Sequence, residues 1–188
     1  MKVSIGPKTM ALPTPTWLVG TYDADGTPNL MTAAWGGICC SKPPCLTVSL
    51  QKPRHSYAAI MERQAYTVSV PSESQAAQAD YCGIVSGRDH DKFARLGWTP
   101  VRSELVDAPY VAECPLTIEC KVIHVKDLGM HTLFVGEIMD VKVDEAAMTD
   151  GNPDPTLIRP IVFSPSDRSY YGLGRFLGQG FSIGKEFK

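Results

Sequence analysis

The sequence predicts a mainly β (α+β) fold: six or seven antiparallel strands, closed or partly closed into a barrel, with short helices inserted between them. Three observations carry this reading. Apolar and polar residues alternate at period two along several separate runs, the mark of half-buried strands. An Asp-Gly turn joins two of those runs in the manner of a hairpin. The 188 residues include 16 Gly and 15 Pro, an excess that suits many turns and excludes a plain helical bundle. Closing such a sheet removes the strand edges it would otherwise offer to other chains. The length supports one compact domain spanning residues 1–188.

Taken in order, Thr16 to Tyr22 reads as the first strand, followed by the turn Asp23-Ala24-Asp25-Gly26. Asn29 to Trp35 then runs back antiparallel to it. Leu46, Val48 and Leu50 alternate with Cys45, Thr47 and Ser49 in the next strand. Tyr66, Val68 and Val70 repeat the pattern until Pro71 stops it. The longest alternation places Leu116, Ile118, Cys120 and Val122 on one face and Thr117, Glu119 and Lys121 on the other. Beyond Gly129, Leu133 to Val143 completes a long hairpin, and Ile161 to Phe163 is a last short strand. Helices are expected over His55 to Glu62, over Gln75 to Tyr81 with Ser72 and Gln75 spaced as a capping box, and over Asp91 to Leu96. Gly97 closes the third of these at a C′ position. After Pro165 the chain is rich in Gly and aromatic residues, as suits a tail lying over a barrel mouth or packed on a second subunit.

Composition narrows the function classes. A formal net charge of −2 gives no general push toward nucleic acid, whose binding depends on clustered cations. No run approaches the roughly 18–20 apolar residues of a membrane span, and the N-terminus lacks an apolar secretory region, so a cytoplasmic location is expected. Of the six Cys, Cys39 and Cys40 are adjacent, and neither a C-x-x-C pair nor a His-rich zinc spacing occurs. They read as mostly buried thiols in a reducing compartment.

Four segments carry residues suited to chemistry. Asn29 to Gly37 starts as a strand and becomes small and flat around Trp35. Small side chains let a planar ligand approach the backbone, although tight packing of barrel strands would use the same residues. Gln51 to Ser56 follows a strand at a helix start, where Arg54, the Ser56 hydroxyl and first-turn N–H groups make either a phosphate seat or an ordinary exposed cap. Tyr81 to Phe93 is a polar loop carrying Ser86, Arg88, His90 and Lys92. It has no Walker or Gly-x-Gly-x-x-Gly spacing. Asp89, His90 and Asp91 are consecutive and cannot converge on one ion from a regular backbone, so no metal site is expected. Gly129 to Glu137 places His131 at the mouth end of a strand, as a catalytic group or a hydrogen-bonded surface residue. No Gly-x-Ser-x-Gly elbow is present.

Together these segments, with Pro13 to Gly20, Lys42 to Pro44, Asp107 to Pro109 and Tyr170 to Gly174, resemble the flavin reductase-like family of FMN-binding split barrels. The likeness is nearest to its flavoredoxin branch and covers almost the whole chain. It implies a homodimer with one non-covalent FMN per subunit. Asn29, Met31, Thr32, Ala33 and Trp35 would line the ring system and ribityl chain. Ser49, Leu50, Arg54 and Ser56 would follow the ribityl chain to the phosphate, with Ser86 and Lys92 adding polar contacts. His131 matches a position beside bound nicotinamide in the reductase branch, and Tyr170 or Tyr171 would cover the ring. Arg54 or Lys92 is needed because an unpaired buried phosphate is prohibitively costly.

Two sub-readings follow: an electron carrier exchanging electrons with protein donors or acceptors, and a flavin or ferric reductase taking hydride from NAD(P)H. A small barrel used only for binding is the rival from another class, though no basic, aromatic-studded face supports a nucleic-acid version. Thiol redox chemistry through Cys39, Cys40 or Cys45 is a third reading. It requires an exposed, low-pKa sulfur, whereas burial on barrel strands is expected for all three.

Overall fold

The computed structural model describes residues 1–187. The strands of its first half are β1 (Thr14–Pro15), β2 (Trp17–Tyr22), β3 (Pro28–Ala33), β4 (Gly36–Ser41), β5 (Pro44–Gln51) and β6 (Ala65–Val70). Helix α1 (His55–Arg63) joins β5 to β6, and α2 (Ala76–Ile84) and α3 (Lys92–Leu96) follow β6. The remainder comprises β7 (Pro100–Arg102), β8 (Pro109–Val111), β9 (Leu116–Asp127), β10 (His131–Val143), β11 (Met148–Thr149) and β12 (Asn152–Pro153). Helix α4 (Pro155–Ile158), β13 (Ile161–Ser164) and β14 (Ser169–Gly172) complete it.

Seven strands form the main sheet in the order β3-β2-β6-β9-β10-β5-β4, and all its pairings are antiparallel. The two end strands, β3 and β4, are consecutive in the chain and separated only by Ala34 and Trp35. The covalent chain therefore closes the ring that the strand ladder leaves open. Across that corner the Ser49 N–H donates to the Trp35 carbonyl at 2.8 Å. The expected hairpins are present: Gly20 pairs with Leu30 across β2–β3, and β9 and β10 pair from Leu116 with Val143 up to Asp127 with Thr132.

Inside the ring, Val19, Leu46, Val48, Leu50, Tyr66, Val68 and Phe134 form the main core. Leu18 and Leu30 point the other way and pack with Ala79, Cys82, Phe93 and Trp98 beneath α2 and α3. Successive residues on β2 are thus buried on opposite faces, which is the geometry of a strand sandwiched between a barrel interior and a helical layer. Gly20 is required where β8 crosses: a Cβ there would fall on the Pro109 carbonyl and the Thr67 hydroxyl.

Several expectations are corrected. Strand β6 is not half-buried, since Ala65 to Ser69 are all buried; its second face is covered by β8 and by Val106 and Ala108. On β9, Thr117 and Glu119 are buried as well, and exposure of that face begins only at Lys121. The Gly-Gly-Ile-Cys-Cys stretch after Trp35 is a strand in its own right, β4, with Cys39 and Cys40 exposed. Cys45, Cys82, Cys114 and Cys120 are buried, and all six thiols are free. The capping box forms as expected, with the Ser72 N–H donating to Gln75 Oε1 at 2.9 Å. Among the described residues no helix is long and apolar enough to cross a membrane, and no cluster of His, Cys, Asp and Glu is arranged to hold a metal ion.

Candidate functional site

Three adjoining cavities share Thr32 and Arg54 at the corner where β3, the N-terminus of α1 and the C-terminus of α2 meet. The first, of about 310 Å³, is partly open and lined by Asn29, Arg54, Ser56, Ser86, Arg88 and Lys92, which make it the polar cavity, with Met31 and Thr32 on its β3 wall. The second, of about 200 Å³, is flatter: Met31, Thr32, Ala33 and Trp35 form one wall, with Ser49, Leu50 and His131 opposite. The third, of about 280 Å³, lies between Thr16, Thr32, Asp80, Phe163, Arg168 and Tyr170.

The polar cavity is built around a helix start. Arg54 occupies the N-cap of α1 without using its side chain as a cap. The Tyr57 N–H bonds the Arg54 carbonyl at 3.0 Å, whereas none of the described hydrogen bonds takes the N–H of His55 or Ser56. Unpaired first-turn N–H groups, together with the helix dipole, make an anion seat. Ser56, fully buried, accepts from Asn29 Nδ2 at 2.9 Å through its hydroxyl oxygen, which leaves the hydroxyl proton for an acceptor in the cavity. Gly87 closes the wall: a Cβ there would strike Asn29 Oδ1 and the His55 ring, so only glycine lets the loop approach so near.

Charge sets the character of this cavity. Lys92 is only 3% exposed, and its Nζ donates to the Leu30 carbonyl at 2.5 Å and the Cys82 carbonyl at 2.9 Å. Arg54 donates to the Gly83 carbonyl at 3.2 Å and Arg88 to the Pro53 carbonyl at 3.3 Å. None of the three has a carboxylate among the ion pairs of the described residues. His55, by contrast, is held by Asp23 at 2.8 Å. Burial pushes the Lys92 ammonium below the ordinary lysine range, and nearby Arg54 pushes the same way. Burial also holds the Cys82 thiol up at about 11, so it stays a neutral neighbour. Carbonyl dipoles solvate these cations without neutralising them, and an anion of more than one charge is the ligand that would.

The flat cavity carries fewer cations, with Arg54 at its edge. Thr32 is tied by its hydroxyl to the Ala79 carbonyl of α2, which fixes the wall's distance from the helical layer. In the third cavity the Thr16 hydroxyl is buried at 1% exposure and has no partner among the described residues. Tyr170 donates to Asp80 at 2.9 Å, and burial followed by that bond raises its phenol to about 12.

The structure brings nearly all the sequence-predicted residues together. Asn29, Met31, Thr32, Arg54, Ser56, Ser86 and Lys92 line the polar cavity; Ala33, Trp35, Ser49, Leu50 and His131 line the flat one; Tyr170 lines the third. Tyr171 lines none of the three. It is 52% exposed on the opposite face of β14, and its hydroxyl donates to Asp167 at 2.6 Å. Alternation along a strand allows only one of two adjacent tyrosines to face the cavity. Sequence reasoning did not assign Arg88, Thr16, Phe163 or Arg168. Arg88 had a signal, standing two residues after Ser86 in a Gly-containing loop, whereas Thr16, Phe163 and Arg168 are assembled only by the pairing of β1, β13 and β14.

The comparisons with known proteins agree with this geometry. The family model described as flavin reductase like domain matches residues 9–170. The structure superposes on that of the flavoredoxin of Desulfovibrio vulgaris (Miyazaki F) with a TM-score of 0.94 and 55% identity, covering 98% of this chain and 100% of that one. A flavoredoxin from Methanosarcina acetivorans gives a TM-score of 0.93 and 29% identity, with both chains covered completely. An uncharacterized protein of Archaeoglobus fulgidus is 35% identical over 127 residues, spanning 68% of this chain and 71% of the relative. The barrel is therefore the split barrel of these neighbours, and the chain belongs to the flavin reductase-like domain family, with flavoredoxins similar to it over nearly its full length.

Proposed function

We propose that this chain is a flavoredoxin-type redox protein that holds FMN non-covalently across the three cavities. The observation that carries this is the set of cations Arg54, Arg88 and Lys92 around one cavity, Lys92 buried and the two arginines exposed at its rim, without a carboxylate partner among the described residues, beside a wall that includes Thr32, Ala33 and Ala34. A flavin monophosphate matches both parts, since its phosphate carries close to two negative charges and its ring system is planar. The family resemblance points to the same ligand.

When bound, FMN supplies the electron chemistry, and the protein holds and tunes it. Arg54, Lys92, the Ser56 hydroxyl and the first-turn N–H groups of α1 would bind the phosphate, with Ser86 and Arg88 closing the loop over it. Asn29, Met31, Thr32, Ala33 and Trp35 would line the ring system and ribityl chain from β3, and Ser49 and Leu50 from β5. Tyr170, held by Asp80, would border the ring from the third cavity. His131, the first residue of β10, lines the flat cavity, where it would orient an incoming donor. Burial of Lys92 places its charge in a region of low dielectric, where its contact with an anion is stronger than at the surface.

The proposed role is electron carriage between protein donors and acceptors. The second reading, direct reduction by NAD(P)H, is favoured by one observation: His131 and Phe163 line the same flat cavity, where they would border a donor that approached a bound flavin. Anaerobic rapid mixing with NADH separates the two. Bleaching of the flavin on the catalytic timescale supports the reductase, and its absence the carrier.

A homodimer is proposed as the working form. Leu173, Phe176, Leu177, Phe181, Ile183 and Phe187 all project to solvent from the stretch after β14, more apolar surface than a monomer usually leaves uncovered. The test of the cofactor assignment is the absorption spectrum of the purified protein with the mass of whatever is released on denaturation. Flavin bands with an FMN mass support it, and a colourless protein that refuses added FMN overturns it.

A further inference from the structure

Three cysteines outside the cavities occupy one place in the fold. In the β4–β5 hairpin the register runs Ile38 opposite Leu46 and then Cys40 opposite Cys45, so Cys39 is the extra residue of a β-bulge. A bulge sets two residues of one strand against one of the other, so Cys39 and Cys40 together oppose Cys45. Cys39 and Cys40 are exposed, and Cys45 is only 3% exposed. The expectation that all three would be buried is therefore corrected for two of them. Burial moves the Cys45 thiol above the ordinary cysteine range, with the neighbouring Cys40 and Cys39 thiols and the Glu137 carboxylate adding to it. The Cys45 thiol also donates to the Pro43 carbonyl at 3.4 Å, a weak bond readily given up.

Residues directly opposite in an antiparallel pair have Cα atoms about 4.5 or about 5.5 Å apart. Both separations lie within the range of roughly 4.4–6.8 Å that a disulfide spans. The three sulfurs form no metal-holding group among the described residues.

We propose that Cys40 and Cys45 form a dithiol–disulfide pair that reacts with low-molecular-weight disulfides. Cys40, the exposed sulfur, loses its proton to solvent and attacks one sulfur of the substrate disulfide. The substrate S–S bond breaks, a mixed disulfide forms on Cys40, and the first substrate thiolate leaves. Cys45, directly opposite it in the strand register, then loses its proton and attacks the Cys40 sulfur. The second substrate thiolate leaves, and the Cys40–Cys45 bond forms. Two protein thiols are oxidised, one substrate disulfide is reduced to two thiols, and the two protons released end on those thiols. Exposure gives Cys40 the attacking role, while burial makes Cys45 the resolving sulfur, protected from outside reagents.

The test equilibrates the purified full chain with a graded series of oxidised and reduced glutathione, quenches with acid, unfolds, alkylates and measures intact and peptide masses. The wild type is expected to pass from six alkylatable thiols to four without retaining glutathione, with the link mapped to Cys40 and Cys45. Cys39→Ser should pass from five to three, and Cys40→Ser should form no internal link. Cys45→Ser should stop as a glutathione adduct on Cys40. Because Cys45 is buried, that variant is checked by circular dichroism, and the two exposed-site variants decide the matter if it does not fold. Six thiols retained at every ratio, a persistent glutathione adduct on the wild type, or a link that maps to Cys39 would each overturn the proposal.

Discussion

The ammonium of Lys92 lies 2.5 Å from the carbonyl oxygen of Leu30, so the first residue of α3 is anchored through the barrel wall to the middle of β3. The same Nζ bonds the Cys82 carbonyl near the end of α2. One buried charge thus joins the strand, the helix and the loop that together enclose the polar cavity. It also faces that cavity with no carboxylate beside it among the described residues.

If this cation and Arg54 seat a phosphate, each should contribute to FMN affinity but not to riboflavin affinity. Arg54→Ala is expected to weaken FMN binding by about 1.5–3 kcal/mol, with riboflavin binding nearly unchanged. Lys92→Met should do the same and also lower the stability of the flavin-free protein, since two carbonyls lose their donor. Isothermal titration with both flavins, with urea unfolding of the flavin-free variants, checks each part.

The lowered pKa of Lys92 gives a pH signature. Desolvation makes the folded protein hold this proton less tightly than the unfolded chain does. Between the folded value and the ordinary lysine value the unfolded chain binds more protons, so the stability of the flavin-free protein rises with pH across that window. Phosphate favours the charged form, so FMN affinity is complete below the folded pKa and declines as pH rises through it. Riboflavin affinity should show no such decline, and Lys92→Met should abolish it for FMN. Binding measured from about pH 7 to about pH 10 covers the range.

His131 lines the flat cavity without touching the polar one. His131→Ala should therefore leave FMN affinity within about 0.5 kcal/mol of the parent. If NADH reduces the flavin, the same substitution should slow that step, as anaerobic rapid mixing would show. Equal reduction rates in variant and parent would remove His131 from any role with the donor.

The two adjacent tyrosines should differ. Tyr170→Phe removes the bond to Asp80 that holds β14 against α2, and is expected to cost about 1 kcal/mol. Tyr171→Phe removes only an exposed bond to Asp167 and should leave unfolding by urea unchanged. A larger loss for Tyr171 than for Tyr170 would reverse the assignment of which ring faces the cavity.

Away from the site, Glu119 is fully buried on β9, and its carboxylate lies 3.0 Å from Lys142 of β10. Lys142→Ala leaves that carboxylate buried without a counter-charge and should destabilise the protein by about 3 kcal/mol. Glu119→Gln should cost less, because no charge is then stranded, and thermal unfolding of the two variants compares them.

How much of this was legible in the sequence depended on whether a feature was local. Period-two alternation at Leu46, Val48 and Leu50 located β5, and Ser72 with Gln75 located the start of the second helical region. Arg54 and Ser56 were legible because a helix start is written in a few adjacent residues. Strand β4 was not, because Gly36 and Gly37 have poor strand propensity and are held there only by pairing with Val48 and Thr47. The burial of Glu119 and of Thr67 was hidden for the same reason, since what covers a second sheet face is set by distant segments. Lys92 was legible as a polar contact but not as a buried one: its neighbours Leu30 and Cys82 are 62 and 10 residues away in the chain.

The most direct measurement is a calorimetric titration of the flavin-stripped protein with FMN and with riboflavin under identical conditions. Cations poised around the polar cavity predict that FMN binds at one site per chain and more than about 100-fold more tightly than riboflavin. Equal affinity for the two flavins, or binding of neither, would contradict the account.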